Sequence, residues 1–203
     1  VVRQPGTAQY FQAAFHIPDA RHSDGFSLMA LDAVLAGASP MTFGGGSTPT
    51  HRSARLYKAL VETELATRAG CGYTPSIDPG LFHFYATVRE GRSLEEVEEA
   101  MWAEIRRVQD EPVSEEELAK AQKQAKAQFA YALESVTNQA LWLGLMEMVD
   151  SYTRFHTFLD DLTTVSAEDV QRVAQTYLTE TSRAVGWFVP SEALDSPQPG
   201  TDS

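Results

Sequence analysis

Apolar and polar side chains alternate between Tyr10 and Ile17. Phe11, Ala13, Phe15 and Ile17 fall on one side, and Tyr10, Gln12, Ala14 and His16 on the other. A period of two with one apolar face predicts a half-buried strand, and Pro18 ends it. From Gly25 to Ala36 the period becomes helical, with Leu28, Leu31 and Leu35 on one stripe and Gly37 as the stop. A loop with Gly44, Gly45 and Gly46 follows. Ser53 is then placed to cap a helix running to about Glu64, with Leu56, Ala59 and Leu60 on its apolar face. Residues 65–73 read as a small, glycine-broken strand, and 75–80 as a turn. Residues 81–88 alternate again, with Phe82, Phe84, Ala86 and Val88 inward. These two strands are expected to pair antiparallel across the turn.

The second half is helical. Ser93 with Glu96 forms a capping-box pattern ahead of the stripe Leu94, Val97, Met101, Ile105 and Val108. Pro112 breaks that helix, and Ser114 with Glu117 opens the next. Its narrow stripe is Leu118, Ala121, Ala125, Phe129 and Ala132. Apolar helices are expected over 139–150 and 155–162, with Trp102, Trp142, Met146 and Met148 in the core. Ser166 with Asp169 starts a last helix bearing Val170, Val173 and Tyr177, and 184–189 form a continuous apolar strand. The order β-α-α-β-β-α-α-α-α-α-β is α+β: a mainly antiparallel sheet with helices packed on one face. Residues 1–190 are read as a single domain. Residues 191–203, rich in Ser, Pro, Asp and Gly, are read as a disordered tail.

The 203 residues carry a formal net charge of −12, which argues against a nucleic-acid or anionic-membrane surface. No apolar run approaches the roughly 20 residues needed to span a membrane. The lone Cys71 rules out an internal disulfide and a cysteine-based zinc site; it reads as a small strand residue. The start Val1-Val2-Arg3-Gln4-Pro5-Gly6 has no Met and no signal-peptide character. The chain is therefore expected to be part of a longer protein, with its compartment open between periplasm and cytoplasm.

Candidate chemistry is sparse. The histidines are His16, His22, His51, His83 and His156, and none has a second histidine three or four residues away. Neither H-E-x-x-H nor H-x-x-E-H occurs, so no self-contained zinc hydrolase site of that kind is encoded. His156 and Asp160, beside Asp161, could share a metal but fit a surface ion pair better. His83 sits in the polar phase of its strand, which predicts an exposed or edge position. The glycine loop lacks the lysine of a P-loop and is left open between a flexible connector and a substrate-contacting loop. The acids of 95–99 and 115–117 suit helix N-termini.

Several pieces, in order and spacing, resemble the C-terminal homology domain of the pitrilysin/insulinase family of zinc metallopeptidases, which includes the mitochondrial processing peptidase. They are Gly44-Gly45-Gly46, the run from Ser53-Ala54-Arg55-Leu56-Tyr57 to Glu62, Glu64-Leu65-Ala66, Asp78-Pro79-Gly80-Leu81-Phe82, and Val113-Ser114-Glu115-Glu116-Glu117-Leu118. The resemblance implies a metal-free, bacterial-type half of a zinc peptidase, inactive alone, that closes a chamber and helps hold a peptide. It implies no catalytic residue and no metal ligand in this chain, with zinc on a homologous catalytic domain of the same parent chain or a separate subunit. It assigns Gly44, Gly45 and Gly46 to substrate binding. The family's substrate-contacting Arg and Tyr, seven apart, correspond here to Val61 and Thr67, six apart. A purely structural module, like the core subunits of the respiratory cytochrome complex, is the alternative, and pairing of two copies of this chain is also left open.

Overall fold

The structure, a computed structural model, describes residues 1–38 and 52–191. Five strands form one sheet in the order β1-β5-β2-β4-β3. They are β1 (Val2–Pro5), β2 (Tyr10–Ile17), β3 (Ala66–Gly72), β4 (Gly80–Val88) and β5 (Arg183–Ser191). β2 lies antiparallel between β4 and β5, and β3 lies antiparallel on the outer edge of β4. β1 runs parallel to β5, from Val2 opposite Phe188 to Pro5 opposite Ser191. The sequence pattern does not reveal β1, because its four residues are all exposed and end in proline. β5 extends past Val189 through Pro190 to Ser191; residues 192–203, including most of the expected tail, lie outside the described residues.

The alternation in β2 decides which way the sheet faces. Phe11, Ala13, Phe15 and Ile17 are buried, and opposite them stand Ala86, Phe84, Phe82 and Gly80. Phe11 and Phe15 both meet the Trp102 ring edge-on, at 5.6 and 6.1 Å between centroids. Each such buried side chain contributes roughly 1.5–3 kcal/mol, and all of that gain lies on one side. The helices α1 (Gly25–Ala36), α2 (Leu94–Asp110), α3 (Glu115–Ala132) and α6 (Ala167–Tyr177) contribute to that core. A smaller cluster of Phe129, Phe158 and Leu162 joins α3 to α5 (Arg154–Thr164), with the Phe129 and Phe158 rings stacked at 4.7 Å.

Polar side chains fix how this layer sits. Both carboxylate oxygens of Glu98 on α2 are used: Trp102 Nε1 donates to one at 2.9 Å, and Trp187 Nε1 on β5 to the other at 2.8 Å. The Arg183 guanidinium lies 4.4 Å from the centroid of the Trp102 ring. At the start of α1, Asp24 accepts from Tyr177 at the end of α6 (2.7 Å) and pairs with Arg172 (2.8 Å). Burial pushes the Asp24 carboxyl up, but the Arg172 and Tyr177 hydrogen bonds outweigh it and hold the group below its ordinary range.

Four local expectations need correction. Ser53 caps no regular helix: after Arg55 and Leu56 the chain makes a π-helical turn, Tyr57–Val61, with Glu62 N–H donating to Tyr57 O. That wider turn keeps Leu56 and Leu60 fully buried, and Glu64 ends it at a φ of 62°, a costly position for a non-glycine residue. Ser114 accepts from Glu117 N–H, but no reciprocal capping box forms, because the Glu117 carboxylate turns to Arg55. The 139–150 helix is α4 (Val136–Val149); its Met148 is 65% exposed and not in the core. β5, expected as a continuous apolar strand over 184–189, runs from Arg183 to Ser191 and has no fully buried residue; Ala184 to Gly186 are exposed and Trp187 to Pro190 half-buried.

Asp32 on α1 is the one carboxylate fully enclosed beneath the sheet among the described residues. It accepts from Cys71 Sγ on β3 at 3.2 Å and from the Tyr73 backbone. Burial pushes Asp32 up to about 7 from an ordinary 3.8, and pushes the Cys71 thiol well up. The folded chain thus holds the Asp32 proton to higher pH than the unfolded chain does. Its stabilising effect is complete below 3.8 and is lost as pH rises through about 7. Asp32→Asn should therefore flatten the pH dependence of thermal unfolding over that window, and at pH 8 it should be more stable than the parent by up to about 4 kcal/mol.

Candidate functional site

Most of the large apolar sheet side chains are drawn toward the helices, and among the described residues the other face is left uncovered. Its composition follows from the register, because residues directly opposite share a face. One row reads Arg68, Thr87, Tyr10, Phe188 and Val2 across the five strands. The next reads Gly70, Tyr85, Gln12 and Gly186, and the third Gly72, His83, Ala14 and Ala184. His16 stands opposite Leu81 below them. Tyr10 and Phe188 form a tilted aromatic pair at 5.6 Å, and Tyr10 and Leu81 are 43% and 49% exposed. Large side chains thus flank a floor of Ala14, Ala184 and Gly186.

Two glycines on this face differ in kind. A Cβ on Gly72 would sit 2.7 Å from Nε2 of His83, so that imidazole lies directly against the strand. A Cβ on Gly186, in the middle of β5, would meet nothing within 4 Å. Glycine inside a strand weakens it and commonly marks the close approach of another backbone. Among the described residues nothing makes that approach at Gly186.

A second polar feature lies where the chain re-enters after 39–51. A cleft of about 550 Å³ is lined by Arg55, Lys58, Glu104, Arg107, Glu117 and Lys120, among others. Arg55 grips Glu117 through both oxygens, Nε at 2.8 Å and an Nη at 2.7 Å. This pair ties the π-helical segment to α3. Nothing in the spacing of Arg55 and Glu117, 62 residues apart, announces that contact.

The expected site residues fall as follows. Gly44, Gly45 and Gly46 lie outside the described residues, so their assignment to substrate is untouched. Val61 packs partly buried against the core. Thr67 is exposed at a β-bulge, where the register jumps from Ala66 opposite Val88 to Arg68 opposite Thr87. His83 stands on the solvent face of β4, an interior strand. His156 and Asp160 are both exposed on α5, while Asp161 accepts from Thr157 at 2.8 Å. Among the described residues no group of three or more His, Cys, Asp or Glu side chains could hold a metal ion. The side chains present here do not fit the zinc that the resemblance implies for the wider protein. No described helix is long and apolar enough to cross a membrane.

A single sheet with helices on one side and an open face on the other defines the class of domain. Residues 1–125 match the family described as the peptidase M16 inactive domain, and the chain belongs to that family. Solved structures agree. The inactive peptidase domain of a candidate zinc protease from Bordetella parapertussis shares 26% identity at a TM-score of 0.78, covering 95% of this chain and 98% of that one. A candidate zinc protease from Bordetella pertussis Tohama I shares 24% identity at a TM-score of 0.76, over 91% of this chain and 94% of that one. A protease from Helicobacter pylori aligns with a TM-score of 0.82 at 20% identity, over 93% of this chain; the match spans 43% of that longer chain. No curated protein matches.

The contact between His83 and Gly72 is measurable. Partial burial of the imidazole lowers its pKa below the ordinary 6.5. Gly72→Ala should push the ring off the strand into solvent, so that His83 titrates closer to 6.5 by NMR while the melting temperature changes little.

Proposed function

We propose that this chain is the metal-free half of a zinc peptidase, and that its open sheet face forms one wall of the space in which an extended peptide is held. The observation that carries the reading is one-sidedness in a member of the inactive-domain family. The helices bury one face of the sheet, and among the described residues the opposite face is accessible, aromatic and floored with small residues. A peptide lying on such a face gains apolar contact without disturbing the fold. The zinc, its water and the general base belong to the homologous partner domain, whether covalently joined or separate. There the metal would activate the attacking water. The contribution of this chain is position: it confines the peptide and completes the enclosure. The glycine segment, Gly44 to Gly46, is proposed to help bind the same peptide. Residues 1–190 act as one such unit.

The test is reconstitution. The 203-residue chain and the zinc-binding half of its parent, prepared separately and mixed, should cleave an unstructured peptide at least about a hundredfold faster than either alone. Cleavage by this chain alone with stoichiometric zinc would overturn the reading. A stable complex without any gain in cleavage would instead favour the purely structural role.

A further inference from the structure

Lysine is confined to one part of this chain. The sequence has only Lys58, Lys120, Lys123 and Lys126, against 28 Asp and Glu and a net charge of −12. Lys58 lies in the π-helical turn and the other three on α3, and all four are exposed. Lys58 and Lys120 line the cleft of about 550 Å³ described above, together with Arg55 and Arg107. Lys123 and Lys126 continue the strip, about 9 Å along the helix axis from Lys120 to Lys126. Between Glu117 and Glu134 the sequence has no acid. Ion pairing sets these lysines apart from the arginines. Among the described residues eight arginines pair with a carboxylate and no lysine does. The acids at the cleft are engaged elsewhere: Glu117 holds Arg55, and Glu104 lies 3.8 Å from Arg107. Glu116 also lines the cleft, one turn before Lys120, without pairing to it. Residues 39–51, just ahead in the chain, contain no Asp or Glu that could supply the missing partners.

We infer that this lysine strip, from Lys58 across the cleft and along α3, is a docking site for an acidic segment of another polypeptide, one that carries several spaced carboxylates. The strip belongs to the helical layer, and the inference does not rest on the wall reading above. Ammonium groups on long, mobile stems accept carboxylates in many geometries, where arginine forks demand one. Carboxylates arriving here displace none of the existing ion pairs. Exposed charges of this kind set association rate and selectivity more than strength, and salt weakens them. The net charge of the chain opposes an acidic segment at long range. At physiological ionic strength that field is screened beyond about 8 Å, so the lysines at the contact decide. A nucleic acid fits less well. Its phosphates follow one another without a break, and Glu104 and Glu111, close enough to act on Arg55, would repel so dense a polyanion at the border of the strip.

Two synthetic peptides of equal length test this, one with Glu at every second position and the other with Gln in its place. Binding to the 203-residue chain is followed by NMR at physiological salt, through the backbone signals of Lys58, Lys120, Lys123 and Lys126. The Glu peptide should shift all four and bind about tenfold more tightly than the Gln peptide, and the preference should fade at several times that salt. A variant combining Lys58→Gln, Lys120→Gln, Lys123→Gln and Lys126→Gln changes exposed side chains alone. It should keep its melting temperature or raise it, because like charges three apart on a helix repel, yet lose the tenfold preference. Equal binding of the two peptides, no binding of either, or undiminished binding to the folded variant overturns the inference. Tighter binding of a single-stranded DNA of equal charge overturns it in favour of a nucleic-acid site. Self-association of the chain that the four substitutions abolish overturns it in favour of a second copy. Peptide binding that appears only after Glu192→Gln, Asp195→Asn and Asp202→Asn overturns it in favour of the chain's own acids.

Discussion

The sheet has one face worth burying, and the rest of the structure follows from that constraint. Phe11, Phe15, Phe82 and Phe84 sit at alternate positions of two paired strands, so pleat geometry sends all four to the same side. Helices able to cover them must pack there. The other side receives what the alternation leaves: tyrosines, histidines, glutamine, alanine and glycine. A one-residue slip of β2 against β4 would exchange the faces, and with them the surface on which the proposed function depends.

Polar contacts hold the layer in place. Glu98 joins α2 to β5 through two indole N–H groups, and β5 supplies Gly186 to the open floor. Asp24 joins the two ends of the helical layer that flank β2. Arg55 and Glu117 fasten the segment that emerges from the glycine region. Asp24 and Arg55 are the more shielded members of their pairs, so each would lose a partner that solvent replaces only in part. These contacts are how the helix side of the domain keeps the open face in shape.

Much of this was legible in the sequence, for physical reasons. β2 and α1 have the bounds that the periodicity indicates, and the capping boxes of α2 and α6 form at Ser93 and Ser166. Strong period and local capping chemistry need no tertiary context. What escaped does need it. β1 is four exposed residues whose only reason to be extended is β5 beside them. The Ser114 box fails because Arg55, 62 residues away, competes for Glu117. The π-helical turn leaves no mark in the pattern, because an ordinary helix would place Leu56 and Leu60 on one face equally well. The open face itself was half visible: the polar phase of β2 could be listed, but its neighbours across the sheet come only from the register. Gly186 reads as a weak spot in a strand until its position shows no described residue above it.

The measurement that bears most directly on this account is an experimental structure of the assembled peptidase holding an uncleavable extended peptide. The account predicts the peptide against the open sheet face, beside Tyr10 and Phe188, with the zinc on the partner domain facing this sheet. Finding the open face packed against helices of another domain, or bare while the peptide lies elsewhere, would contradict it.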